Sequence, residues 1–224
     1  MDRDVSGLAK LSKQSLFDAA GEGFLAQTGG ELLDAHFALP SIDPTISGPL
    51  PSIETFVAST AGEVSAMGTN TALNAEWQPV VERLIAAVHA WAAKSEVEFT
   101  GDAYVTASIT PAADVNGEAH FDDDQFTPTA GAGLVAIVGD LSGPRVAADP
   151  VPHDEINSPR PVVASDAIKG AFADGTISST AYGANELVLL PQFAQLHAGP
   201  GPCGSADEVR HLLVFRASTK SMRD

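Results

Sequence analysis

Arg210-His211-Leu212-Leu213-Val214-Phe215-Arg216-Ala217-Ser218 reads as the last strand of the chain, and its orientation decides the fold. Side chains alternate across a strand, so Arg210, Leu212, Val214, Arg216 and Ser218 share one face, with Leu213 and Phe215 on the other. Two arginines therefore point the same way. If their face looks inward, each guanidinium needs an anionic partner, because an unpaired buried charge is unfavourable. If it looks into water, Leu213 and Phe215 belong to the core. Periodicity leaves both orientations open.

Working back from that strand, residues 103–110, 117–122, 133–139, 176–182 and 186–190 form short β-rich runs broken by Gly, Pro and Asp. Several short strands separated by turn signals predict a sandwich or barrel, with a double-sheet jelly roll as the expected form. One helix stands out between residues 74 and 94. There Trp77, Val80, Val81, Leu84, Ile85, Val88 and Trp91 recur at the spacing that lines one face, opposite Glu76, Glu82, Arg83 and Lys94. Such a stripe packs flat against a sheet. Pro79 falls near the expected first turn, where a missing N–H is tolerated, and His89 beside the stripe reads as a packing or rim histidine.

Residues 6–28 carry a weaker helical pattern ending in Gly29-Gly30, and residues 40–51 read as loop. The expected class is mainly β with N-terminal helices, organised as a single domain over 1–224. Residues 1–100 form a helical support region and 101–220 a jelly-roll core. Residues 140–175, rich in Pro, Asp, Ser and Ala without periodicity, read as a lid insert.

The chain has 224 residues, 44% apolar and 18% charged, which suits a folded domain and excludes a disordered composition. Its longest apolar runs fall well short of the roughly 20 residues that cross a bilayer. Met1-Asp2-Arg3-Asp4-Val5 lacks the basic and apolar regions of a secretory signal. Cys203 is the single cysteine, so no internal disulfide forms, and a reducing cytoplasmic setting is expected. Nothing near Cys203 activates a thiol; it reads as a small residue in a Gly/Pro loop. The net charge of −17 argues against DNA or RNA, whose binding needs Lys and Arg on phosphates.

His120-Phe121-Asp122 and the distal His197 carry the chemistry. Two imidazoles and a carboxylate on one face of an octahedral ion leave three positions open. Non-haem iron(II) uses that arrangement to hold a chelating cosubstrate together with dioxygen. The alternative is a strand-end histidine capped by a carboxylate and an unrelated loop histidine. The arginine pair of the last strand is the further feature that this alternative does not predict. Arginine forks match carboxylates bidentately, so a dicarboxylate cosubstrate is a fitting counter-ion.

On these residues the chain resembles the iron(II)- and 2-oxoglutarate-dependent oxygenases, over about residues 104–218. The order is His-x-Asp, distal His, then Arg on the following strand. Thr110-Pro111 followed by His120-Phe121-Asp122-Asp123 is similar to the JmjC-type hydroxylases. His197-Ala198-Gly199 followed by Arg210 is similar to the prolyl-hydroxylase-like branch, and the Arg210/Arg216 pair to AlkB-type enzymes. Residues 133–139 lack the basic residue that JmjC-type hydroxylases carry after His-x-Asp, which throws carboxylate binding onto the last strand. The resemblance implies a double-stranded β-helix, Fe(II) held by His120, Asp122 and His197, and 2-oxoglutarate and dioxygen as cosubstrates. Arg210 is the expected partner of the far carboxylate of 2-oxoglutarate, with Arg216 and Ser218, an Arg-x-Ser pattern, as the alternative. The implied reaction is hydroxylation of a C–H bond coupled to decarboxylation of 2-oxoglutarate to succinate.

Tyr104 either reaches the cosubstrate or is a core tyrosine with its hydroxyl at the rim. Asp122-Asp123-Asp124 lacks the spacing of a calcium loop and reads as a solvated acidic edge. His153 and Asn157, inside the expected lid, are candidates to touch substrate. Three functions stay in play. The leading one is a dioxygenase acting on a small molecule, amino acid or peptide. The second is a metal cupin that works without a keto-acid and tolerates loss of Arg210. The third is a jelly-roll binding module that takes up no metal.

Overall fold

The computed structural model describes residues 30–120, 133–148, 164, 166–191, 195–203 and 207–220. Ten strands and three α-helices are present among them. A seven-stranded antiparallel sheet runs in the order β1 (Glu31–His36), β8 (Glu186–Pro191), β5 (Gly133–Gly139), β10 (Val209–Ser218), β4 (Ala103–Pro111), β2 (Ser52–Ala58), β3 (Val64–Ala66). A smaller sheet has the order β7 (Ser179–Ala181), β6 (Arg145–Ala147), β9 (His197–Ala198). His120 extends it through an isolated bridge to His197.

Four layers result. Helix α2 (Thr71–Lys94) lays Trp77, Val81, Leu84, Ile85 and Val88 on the large sheet, where Phe56, Val105, Leu134, Leu187, Leu213 and Phe215 complete one core cluster. The other face of that sheet gives Val135, Val188, Leu190 and Val214, which meet Val146 of the small sheet. The small sheet's outer face is covered by α3 (Asp166–Ala173), through Ile168 and Phe172 against Ala119, Ala147, Leu196 and Ala198. Strands β5, β8 and β10 are therefore buried on both faces, which explains their near-continuous apolar runs. The question left open by β10 is answered. Leu213 and Phe215 face the helix, and Arg210 and Arg216 face the space between the sheets.

Mainly β structure with antiparallel sheets and one long helix matches the expected class, and the differences have local causes. Residues 1–29 lie outside the described residues, and 30–70 contributes β1, β2 and β3 beside the short helix α1 (Pro44–Ser47). The region expected to be helical support thus supplies both edges of the large sheet. Ser52–Ala58 alternates buried and exposed along its length, as a half-buried strand does. The long helix starts earlier than expected. Asn70 caps it by accepting the Leu73 N–H at 3.0 Å, so Pro79 lies well inside rather than in the first turn. Ala75 and Pro79 are exposed, and water can satisfy the Ala75 carbonyl that Pro79 cannot donate to.

Within 140–175, expected to be a lid, the structure has β6 and α3, while 149–163 and 165 lie outside the described residues. That includes His153 and Asn157. No described helix is long and apolar enough to cross a membrane.

Candidate functional site

An antiparallel pairing brings the two histidines together. His120 N–H donates to the His197 carbonyl at 2.8 Å, and His197 N–H donates back to the His120 carbonyl at 3.0 Å. Residues paired in this way share a face, so the imidazoles become neighbours, their centroids 4.4 Å apart. Glycines permit the approach of the flanking backbones. A Cβ on Gly117 would stand 2.6 Å from Gly201 Cα, and one on Gly199 would stand 2.6 Å from the Asn116 carbonyl oxygen.

Both rings are turned alike. His120 Nδ1 lies 2.9 Å from the Glu118 carbonyl and His197 Nδ1 lies 3.2 Å from the Gln195 carbonyl. A carbonyl only accepts, so Nδ1 carries the hydrogen in each ring. In the neutral tautomer Nε2 then keeps the lone pair, the form in which imidazole binds metals. Gln195 is itself buried and its Nε2 donates to the Ala147 carbonyl, tying the segment before His197 to β6. Asp122, the third expected ligand, lies outside the described residues, as do Phe121, Asp123 and Asp124. Among the described residues no group of three His, Cys, Asp or Glu side chains forms a metal cluster.

The histidines open onto a cavity of about 300 Å³ between the sheets. Val146 and Ala198 contribute from the small sheet, Ile137, Val188 and Leu190 from β5 and β8, and Arg210, Leu212, Val214 and Arg216 from β10. Arg210 lies at the end near Gly199. A Cβ on Gly199 would lie 3.6 Å from its Nη1, and one on Gly139 would lie 3.6 Å from its Nη2. Its Nε is buried and meets no hydrogen-bond partner among the described residues. Burial pulls the guanidinium below its ordinary value, and the charge of Asp140 opposes that shift. Such a group, half desolvated with donors unspent, suits an incoming carboxylate.

Arg216 also lines the cavity, six positions along the strand and so roughly 20 Å from Arg210 in backbone terms. Tyr104 and Ser218 flank it. Tyr104 pairs with Arg216 across to β4, and Ser218 pairs with Gly133 of β5, but neither side chain belongs to the cavity lining. His89 stacks near Phe99 at 5.2 Å, and burial lowers its pKa, as fits a packing histidine.

Sequence reasoning singled out neither Asp140 nor Arg145. Asp140 follows β5 and holds His211 twice, accepting its backbone N–H at 2.9 Å and its Nδ1–H at 2.6 Å. The Gly139-Asp140 pair closing an apolar run was the available clue. Arg145 sits on a three-residue strand, too short for any periodicity to register.

No family model and no curated protein matches this chain. Solved structures do resemble it. EvdO2 from Micromonospora carbonacea var. aurantiaca, complexed with 2-oxoglutarate, is 18% identical over 66% of this chain and 67% of its own, with a TM-score of 0.37. HygX from Streptomyces hygroscopicus, with nickel, 2-oxoglutarate and hygromycin B bound, is 13% identical over 93% of this chain and 87% of its own, with a TM-score of 0.41. At such identities and scores, the function has to be read from this chain's own residues.

Proposed function

We propose that the protein is an Fe(II)/2-oxoglutarate-dependent dioxygenase that hydroxylates a C–H bond of a small molecule, amino acid or peptide. The observation that carries this reading is the pair of adjacent imidazoles, His120 and His197, each with Nδ1 committed to a backbone carbonyl. Their cavity also contains the buried Arg210 guanidinium. The strand order supports it too. From β4 onward the chain alternates between sheets: β4 large, the His120 segment small, β5 large, β6 and β7 small, β8 large, β9 small, β10 large. That winding is the one expected of a double-stranded β-helix, a form of jelly roll, and so supports the reading.

The donor set fits the metal. Two neutral imidazoles suit iron(II), and Asp122, two residues beyond His120, is the carboxylate proposed to complete a facial triad. Iron(II) held there would activate dioxygen, the oxidant, with one oxygen atom going to succinate as 2-oxoglutarate loses carbon dioxide and the other to the substrate C–H bond. The protein's part is orientation. The carbonyls of Glu118 and Gln195 fix the rings, and Arg210 takes the far carboxylate of the cosubstrate through its fork. Val146, Val188, Leu190 and Val214 keep the cavity wall apolar and limit water at the reacting carbon.

The test is anaerobic addition of iron(II) and 2-oxoglutarate. Wild type is expected to develop a weak visible charge-transfer band that His120→Ala and His197→Ala both abolish. A wild type without the band refutes the assignment.

A further inference from the structure

Asp140 and Arg210 are neighbours of opposite charge that form no ion pair with each other. Nη2 of Arg210 lies beside Gly139, where a Cβ would stand 3.6 Å away, and Asp140 is the next residue. The charge of the carboxylate is felt at the guanidinium. A largely buried guanidinium beside a carboxylate ordinarily closes on it, because fork and oxygens match in geometry and each offsets the desolvation of the other.

His211 accounts for the exception. Its backbone N–H donates to Oδ1 of Asp140 at 2.9 Å and its Nδ1–H donates to Oδ2 at 2.6 Å, so both oxygens are engaged. Alternation sends His211 and Arg210 to opposite faces of β10, and the carboxylate is drawn to the helix side, away from the cavity. The imidazole is held there by packing: it is 6% exposed, and its centroid lies 6.0 Å from that of the fully buried Trp77. Its Nε2 is buried with no hydrogen-bond partner among the described residues, which leaves Asp140 as the one polar commitment of the ring. Leu213 and Phe215 fill the same face without a polar atom, so packing alone does not call for a histidine.

We propose that His211 is a positioning residue for the cosubstrate: by engaging both oxygens of Asp140 it keeps that carboxylate off Arg210 and leaves the guanidinium fork open to the far carboxylate of 2-oxoglutarate. This rests on the oxygenase reading, in which Arg210 is the anchor.

The full-length protein, loaded anaerobically with iron(II), is titrated calorimetrically with 2-oxoglutarate and with 2-oxopentanoate, which keeps the chelating end and lacks the far carboxylate. Wild type is expected to prefer 2-oxoglutarate by about 100-fold, the value of a buried charged pair. His211→Phe keeps a ring against Trp77 and loses the donor; Oδ2 is released to Arg210, and the preference is expected to fall to about threefold. Adding Asp140→Asn to that variant removes the competing carboxylate and is expected to raise the preference again by about fivefold. His211→Asn, whose amide nitrogen takes the place of Nδ1, is expected to stay within about threefold of wild type. Affinity for 2-oxopentanoate is expected to stay constant throughout, which a general loosening of the fold would not allow. His211→Leu serves as a second variant without the donor if the phenyl ring prevents folding. Parallel loss of both keto-acids, an unchanged preference in His211→Phe, or a double variant no better than the single one each overturns this role and leaves the anchor reading standing. A wild type that binds both keto-acids alike overturns the anchor, and the role of His211 falls with it.

Discussion

On β10, His211, Leu213, Phe215 and Ala217 point at the helix-side core, while Arg210, Leu212, Val214 and Arg216 point into the space between the sheets. The two faces are made from one strand and are both largely removed from water. They differ in what fills the space opposite. Against α2 the gap is closed by Trp77, Leu84 and Val88, and every added contact stabilises the fold. Between the sheets a cavity remains, and Arg210 and Arg216 line it, where on the proposed reading they reach a ligand. Stability and ligand binding should therefore separate cleanly by residue parity along this strand.

Phe215→Ala is the strongest test of that separation. Phe215 is fully buried, and truncation should remove about 3–5 kcal/mol by urea unfolding. Cosubstrate affinity of the protein that remains folded should hardly move. Arg210→Ala is the converse, with little effect on melting. It is expected to weaken 2-oxoglutarate about 100-fold, roughly 2.7 kcal/mol by titration. A larger loss from Arg216→Ala than from Arg210→Ala would relocate the anchor to the other end of the strand.

Asp140 joins the two faces. Its carboxylate grips His211 on the helix side, and its charge favours ionised Arg210 on the cavity side. Asp140→Asn is expected to lower stability by about 1–2 kcal/mol, because the carboxylate's two bonds to His211 are weakened at a buried site. It should also weaken 2-oxoglutarate severalfold. An effect on stability alone would show that Asp140 serves only the helix face.

Much of this was legible in the sequence where a pattern runs long enough to register. The stripe from Trp77 to Trp91 spans about four turns, and the runs at β4, β5, β8 and β10 each give several residues of β-rich character. Short elements escaped. β3 and β6 have three residues each, too few to express a period, while the equally short β7 falls inside the weak run read at 176–182; α3 lies in a segment whose Pro and Ser content signals loop. β1 and β2 escaped because their pairing partners, β8 and β4, lie far along the chain. For the site, His120 and His197 were visible as residue types in the right order. Their union depends on a single pair of backbone hydrogen bonds, which no local pattern encodes. Which way Arg210 faces was undecidable for a physical reason: both faces of β10 carry apolar residues because both are covered.

Glu54 sharpens the comparison from the opposite side, as an acid on the face that has no ligand to meet. It lies on β2 with Phe56, toward α2, and is 8% exposed. Its Oε2 occupies the space a Cβ on Gly68 would fill and has no partner among the described residues. Burial raises its pKa, and a hydrogen bond from Asn74 only partly opposes the shift. The folded state thus holds this proton more tightly than the unfolded chain. The group's contribution is favourable in acid and is lost as pH rises through the folded-state pKa. Glu54→Gln removes the charge, and its amide can donate to the buried, unpartnered Oδ1 of Asn74. The variant should be more stable than wild type by about 1 kcal/mol at neutral pH, with the gain vanishing below the ordinary carboxylate range. A gain that persists in acid would mean packing rather than charge is responsible, and 2-oxoglutarate affinity should be unaltered throughout.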